Sequence, residues 1–312
     1  MKICSLLPSA TEIVFALGLG DRLVAVTHEC DFPTEARRLP VVTRSTVDAG
    51  GGGSREIHQH ISAARHAGSS VYTLDQELLG RLDPDLILTQ ELCDVCAVSY
   101  DLVTEAVRRL EGPRKVLSLQ PISLEGILAT IGQVGEAAGV PERAARLVAE
   151  LQQRIEAIAD RARAAVRRPR VLALEWLDPP FIGGHWVPEL VGLAGGASCD
   201  VGQTGHPSTR VEWSRIAEYD ADIIVLMPCG FDLERTIAEF IVARLPADWV
   251  RLRAVRAGEV YAVNGSAYFN RPGPRIVEAL RILAEIVQPG LFPPTFAGTA
   301  WQRVGAEVPH AR

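Results

Sequence analysis

Short apolar runs and amphipathic stretches alternate along almost the whole chain. Near-continuous apolar runs at residues 2–7, 23–27, 71–74, 85–89, 115–119, 170–174, 222–227 and 259–263 predict short strands buried on both faces. Between them, apolar residues recur at steps of three and four over residues 56–67, 100–110, 123–138, 187–194, 234–244 and 274–287, which predicts helices. Ser9 followed by Glu12 reads as a capping box, so a helix should open there and end at Gly18 or Gly20. Strand–helix alternation of this kind predicts an α/β fold with mainly parallel sheets and helices on both faces.

The longest periodic stretch, residues 141–166, organises this pattern. Ala144, Val148, Leu151, Ile155, Ile158, Ala162 and Ala165 make one apolar face, and Pro141 suits the first helical position. Arg and Glu fill the other face. Such a helix would reach about 40 Å, and the sequence on either side reads as a separate α/β unit. It therefore reads as a strut. An N-terminal lobe is expected over 1–121, connecting helices over 122–168, a C-terminal lobe over 169–288 and an irregular Pro-rich tail over 289–312.

The 312 residues are 47% hydrophobic and 22% charged with a formal net charge of −6, which is globular and argues against nucleic acid as a partner. No apolar run has membrane-spanning length. Pro8, Ser9, Thr11 and Glu12 break the N-terminal apolar run and no cleavage site follows, so a cytoplasmic location is expected, with the periplasm an option only if an export signal is missing from the chain. In a reducing compartment the six cysteines would be thiols.

Open parallel sheets bind ligands at the carboxyl ends of their strands, and the chemically unusual residues follow predicted strands. His28, Glu29, Cys30 and Asp31 follow one; Gln90, Glu91, Cys93 and Cys96 follow another. After the strut come Glu175, Trp176, Phe181, His185 and Trp186, then Cys229, Phe231 and Asp232, then Tyr268, Phe269, Asn270 and Arg271. If the lobes face each other, these loops line one cleft that is aromatic, thiol-bearing and mixed in charge. Two other readings stay open. Cys30, Cys93, Cys96 and Cys229, with His28, could hold zinc or copper, although one two-residue-spaced pair is half a usual zinc set. The same thiols could serve a redox or corrinoid-processing enzyme. The glycines of residues 49–54 lack the Lys-Ser/Thr ending of a phosphate loop and read as a mobile turn. No complete catalytic set is visible, and a binding protein is expected rather than an enzyme.

The segments SLLPSATEIVFALGLGDRLVAVTHECDFP, LDPDLILTQ and RPGPRIVEAL, with the long helix between lobes, resemble the periplasmic-type binding proteins for vitamin B12 and iron–siderophores. ELCDVCAVS, EWLDPPF, GHWVPE and MPCGFD resemble a cobalamin-binding subgroup of them. The resemblance covers about residues 1–288. It implies two Rossmann-like lobes joined by a backbone helix, and capture of cobalamin, another corrinoid or a related metal chelate. The ligand would meet His28, Glu29, Gln90, Glu91, Trp176, Phe181, His185, Trp186, Phe231, Tyr268, Phe269 and Arg271. It also implies an ABC importer as partner, docked through one acidic residue on each lobe. Glu77 matches the first; the second falls near Ser214, with Glu212 close by.

Overall fold

The computed structural model describes residues 1–46, 52–66, 72–90, 103 and 114–305. The chain divides into two compact units, one of Met1–Gly51, Gln59–Pro121 and Glu125–Leu151, the other of Gly52–His58, Ile122–Leu124 and Gln152–Arg312. The fold is α/β in both, as the alternating pattern predicts.

Along the first part of the chain run β1 (Ile3–Ser5), α1 (Pro8–Ala16), β2 (Leu23–Ala25), β3 (Thr43–Ser45), α2 (Ser54–His66), β4 (Tyr72–Leu74), α3 (Gln76–Leu82), β5 (Leu86–Thr89), β6 (Lys115–Ser118), α4 (Leu124–Ala137) and α5 (Pro141–Arg163). A four-stranded parallel sheet has the order β2-β1-β5-β6. Cys4, Leu6, Ala25, Leu79 and Ile87 are sealed in its core. Strands β3 and β4 form a separate antiparallel pair. Helix α3 escapes the periodicity reading because it is only seven residues long. Asp75 caps it, accepting the Leu78 N–H at 2.8 Å.

The expected capping box is not there. Helix α1 starts at Pro8, its extended cap is Leu7, and no side chain satisfies that end. Proline presets the helical φ, so the helix begins two residues earlier than a Ser9 cap would set it and Ser9 lies inside it, 3% exposed. The helix then closes where expected, with Gly18 at φ +70°. The strut also forms as α5, but it stops at Arg163, and 23 residues give about 34 Å. The expected helix over 100–110 lies outside the described residues apart from Val103, and so does the glycine turn apart from residues 52–54.

The rest of the chain carries β7 (Arg170–Leu177), β8 (Pro180–Ile182), α6 (Val187–Leu193), β9 (Ala197–Ser198), β10 (Thr209–Arg210), α7 (Trp213–Tyr219), β11 (Ile223–Leu226), α8 (Leu233–Val242), α9 (Arg253–Arg256), β12 (Val260–Val263), α10 (Ile276–Val287) and β13 (Trp301–Val304). The main sheet order is β10-β8-β7-β11-β12-β13, with β9 also paired to β7. Its centre, β7-β11-β12, is parallel, whereas β8, β10 and β13 are antiparallel additions. Two of these additions depart from expectation. The segment after Leu174 continues β7 and folds back as β8, and the expected irregular tail supplies β13, whose Trp301 pairs with Val263 and Val304 with Val260.

Candidate functional site

Loops at the carboxyl ends of β7, β11 and β12 gather most of the predicted residues of the second unit. The β11 and β12 loops are tied together where the Ser266 N–H donates to the Phe231 carbonyl at 2.9 Å. That approach needs a glycine at 265, because a Cβ there would stand 2.5 Å from the Pro228 carbonyl oxygen. Gly265–Phe269 is a single π turn, capped by Asn264, which accepts the Ala267 N–H. Arg271 is buried and donates to the Ser266 hydroxyl at 3.4 Å.

The aromatics divide by role. Trp186, Phe231 and Phe269 were expected to face a ligand, but they are buried and hold the loops. Trp186 donates its indole N–H to the Phe269 carbonyl at 3.0 Å, and Phe231 packs edge-on against Trp176 at 5.4 Å. Trp176, Phe181 and Tyr268 keep part of their ring surface accessible. The first turn of α2 joins this cluster. Trp176 donates to the Ser54 carbonyl, Arg55 pairs with Asp178 at 2.7 Å, His58 lies 5.9 Å from Phe181, and the Ser54 N–H is held by the buried carboxylate of Glu239 at 2.9 Å. Burial, helped by Arg210 and opposed by Asp178, lowers the His58 pKa.

His185 sits at φ +51°, a conformation non-glycine residues rarely take. Its N–H donates to the His206 carbonyl and its carbonyl accepts the Gly205 N–H. Burial lowers its pKa, which favours neutral imidazole. Beside it Glu175 accepts the Ser208 hydroxyl proton, and Ser208 Oγ accepts the Gly184 N–H at 3.2 Å. Burial raises the Glu175 pKa, with the Ser208 hydrogen bond acting against it. A Cβ at Gly184 would lie 2.3 Å from the His206 carbonyl oxygen and 2.6 Å from the Pro207 carbonyl carbon. Gly184→Ala should therefore cost about 1–3 kcal/mol by overpacking against backbone; urea unfolding at neutral pH, with the Gly192→Ala variant as an unhindered control, measures it.

In the first unit His28 leaves β2 and is held by Thr43 of β3, with Nδ1 2.8 Å from the Thr43 hydroxyl. Tyr72 lies 5.4 Å from the ring and Glu29 approaches Nε2 at 3.4 Å. Cys30, expected as a metal ligand, is instead buried in a small core with Val26 and Ala36, its Sγ 3.1 Å from the Thr11 hydroxyl. Cys4 is sealed in β1, and burial pushes its thiol pKa far up. Cys229 is half-buried. Gln90 is half-buried after β5. Glu91, Cys93 and Cys96 lie outside the described residues. Of the residues implied for permease docking, Glu77 is 85% exposed and pairs with Arg81, and Glu212 and Ser214 are exposed. Thr43, Ser54 and Ser208 were missed, since a single hydroxyl residue carries no periodic signal.

The family model described as "Periplasmic binding protein" matches residues 3–267. The chain is 25% identical over 298 residues to the ABC transporter substrate-binding lipoprotein YvrC of Bacillus subtilis, covering 93% of this chain and 81% of that one. It is 25% identical over 291 residues to a vitamin B12-binding protein of Vibrio cholerae, covering 89% and 86%. Among solved structures, the periplasmic heme-binding protein RhuT of Roseiflexus superposes with a TM-score of 0.69 at 24% identity, covering 93% and 98%. The periplasmic vitamin B12 binding protein BtuF of Vibrio cholerae gives 0.66 at 23%, covering 92% and 96%.

These likenesses correct three expectations. The cytoplasmic location does not stand, because the relatives are a lipoprotein and periplasmic proteins. The zinc or copper alternative gains no support. Among the described residues no group of three or more His, Cys, Asp or Glu side chains could hold an ion, and Cys30 is committed to packing. The thiol-dependent enzyme is set aside, since the matched proteins are binding proteins.

Proposed function

The chain belongs to the periplasmic binding protein family, and from that premise we propose that it captures a corrinoid, cobalamin foremost, and presents it to an ABC permease. The observation that carries this reading is the likeness over 89% of the chain to a protein named for vitamin B12 binding. The post-strand loops support it, since partly exposed Trp176, Phe181 and Tyr268 suit a large, partly apolar ligand. In the first unit's own post-strand loops, His28, Glu29 and Gln90 are the polar residues available to such a ligand. Trp186, Phe231, Phe269 and Arg271 shape the loops from beneath.

Haem is the second reading, favoured by the likeness in fold to a heme-binding protein. An absorbance titration with hydroxocobalamin, cyanocobalamin and haemin decides between them. Saturable cobalamin binding at or below about 1 µM, near −8 kcal/mol, is the expected result. Haemin binding without any corrin response would move the reading to haem, and a flat titration with all three would remove the chelate reading altogether.

A further inference from the structure

Helix α2 opens without a side-chain cap of its own. Gly53 takes the cap position, since its carbonyl accepts the Ile57 N–H at 3.1 Å, and it has no side chain to satisfy the N–H groups of the first turn. Glu239 of α8 supplies the missing acceptor. It is 6% exposed, and its Oε1 accepts the Ser54 N–H at 2.9 Å. A carboxylate is favoured at this end of a helix, where the N–H dipoles converge. Ser54 is held through its backbone, because its hydroxyl is buried with no hydrogen-bond partner among the described residues. From the same residue the tie continues outward. The Ser54 carbonyl accepts the Trp176 indole N–H at 3.1 Å. Trp176 stands opposite Phe181 across β7 and β8, so both rings share one face of the sheet, and both keep accessible surface. Gly52–His58 belongs to the second unit, so this whole chain of contacts lies inside it.

We propose that Glu239 is a positioning residue for ligand capture: through Ser54 it fixes the ring of Trp176, and with it the aromatic face that Trp176 and Phe181 offer to a chelate. The inference rests on the chelate reading above and adds a residue that touches no ligand. Without the carboxylate, the first turn of α2 has a buried N–H with no acceptor. The turn then frays, and the Ser54 carbonyl leaves the place where it holds the indole. Trp176 still packs edge-on against Phe231, but its ring is free to turn about that contact, and ordering it again on binding costs affinity. Arg55 and Asp178 pair one residue further along at 2.7 Å, but Arg55 is 49% exposed, and a surface pair of this kind does not hold the turn by itself.

Hydrogen exchange at the indole nitrogens, followed by nuclear magnetic resonance on the full chain, reads the tie without any ligand. Trp176→Phe assigns the Trp176 signal. Trp186 and Trp301 donate their own indole N–H groups elsewhere in the second unit and serve as internal references. In Glu239→Ala the Trp176 indole should exchange about 10-fold faster or more, while the two references stay as in wild type. Glu239→Gln keeps an amide oxygen that accepts the Ser54 N–H and should restore the wild-type rate. Glu239→Asp, one methylene shorter, should behave as alanine does and serves if the alanine variant does not fold. Absorbance titration with cyanocobalamin should give the same order, with affinity about 10-fold weaker in Glu239→Ala and recovered in Glu239→Gln. Trp176→Phe keeps a ring but no N–H, so adding Glu239→Ala to it should cost no further affinity. Unchanged Trp176 exchange, or faster exchange of all three indoles together, overturns the assignment. A released Trp176 with unchanged cobalamin affinity also overturns it and leaves corrinoid capture standing. Wild-type protein that binds no cobalamin overturns the corrinoid reading and the ligand role of Glu239 together.

Discussion

Replacing Glu285 by alanine should lower the stability of the second unit by about 3–5 kcal/mol, the cost of breaking a buried, hydrogen-bonded charge pair. The carboxylate is 1% exposed in α10. It accepts Arg281 Nε–H at 3.1 Å, Trp301 Nε1–H at 2.9 Å, the Phe296 N–H at 3.0 Å and the Thr295 hydroxyl proton. Alanine would leave those donors unsatisfied at once and release the segment that carries β13. The effect has a pH signature. Burial alone would raise the Glu285 pKa, but the bonds from Thr295, Trp301, Phe296 and Arg281 outweigh it and hold the carboxyl below its ordinary value. A depressed native pKa adds stability that is fully present above the unfolded carboxyl value of about 4.3. That contribution is lost as pH falls through the native pKa. The gap between wild-type and Glu285→Ala urea midpoints should therefore be widest near neutral pH and narrow in acid. A gap independent of pH would mean that the hydrogen bonds act through shape alone.

Trp249→Ala should cost a comparable amount, about 3–5 kcal/mol, because it empties a large site in a closed core. Trp249 is 1% exposed and packs edge-on to Trp213 at 5.7 Å and against Phe240 at 6.0 Å. Leu252, Ala254 and Val255 belong to the same cluster. Its indole N–H has no hydrogen-bond partner among the described residues. The volume and the edge-on and tilted ring contacts, not the polar atom, then carry the stabilisation. Trp249→Phe should keep most of it, with a loss under about 1.5 kcal/mol. Equal losses in thermal and urea unfolding for the two variants would contradict that division.

Much of the fold was legible because it is written locally. Residues 141–163 form a helix for the reason the spacing predicted, an apolar face repeated over many turns. The sheets are parallel at their centres because uninterrupted apolar runs need cover on both faces. Legibility failed where a local preference met a stronger neighbour. Ser9 is a good cap in isolation, but Pro8 starts the helix before it. Trp301–Val304 has two exposed residues between half-buried Trp301 and buried Val304, so it lacks the alternation that marks a strand, and it becomes one by pairing along β12.

The candidate site divides in the same way. The residue types after each strand, with His28, Trp176 and His185 among them, were readable from their place in the pattern. Which aromatic turns inward was not. Trp186 is buried because its indole N–H finds the Phe269 carbonyl, 83 residues away. Thr43 matters to His28 only because β3 brings its hydroxyl there, 15 residues on. Local spacing along the chain was enough for the α/β class, the long helix and the set of loops that carry chemistry, since side-chain periods of two and 3.6 are properties of neighbouring residues. Which nitrogen of His28 is held, which thiol is sealed and which rings stay accessible emerged with the folded chain, because those follow from contacts between segments far apart in sequence.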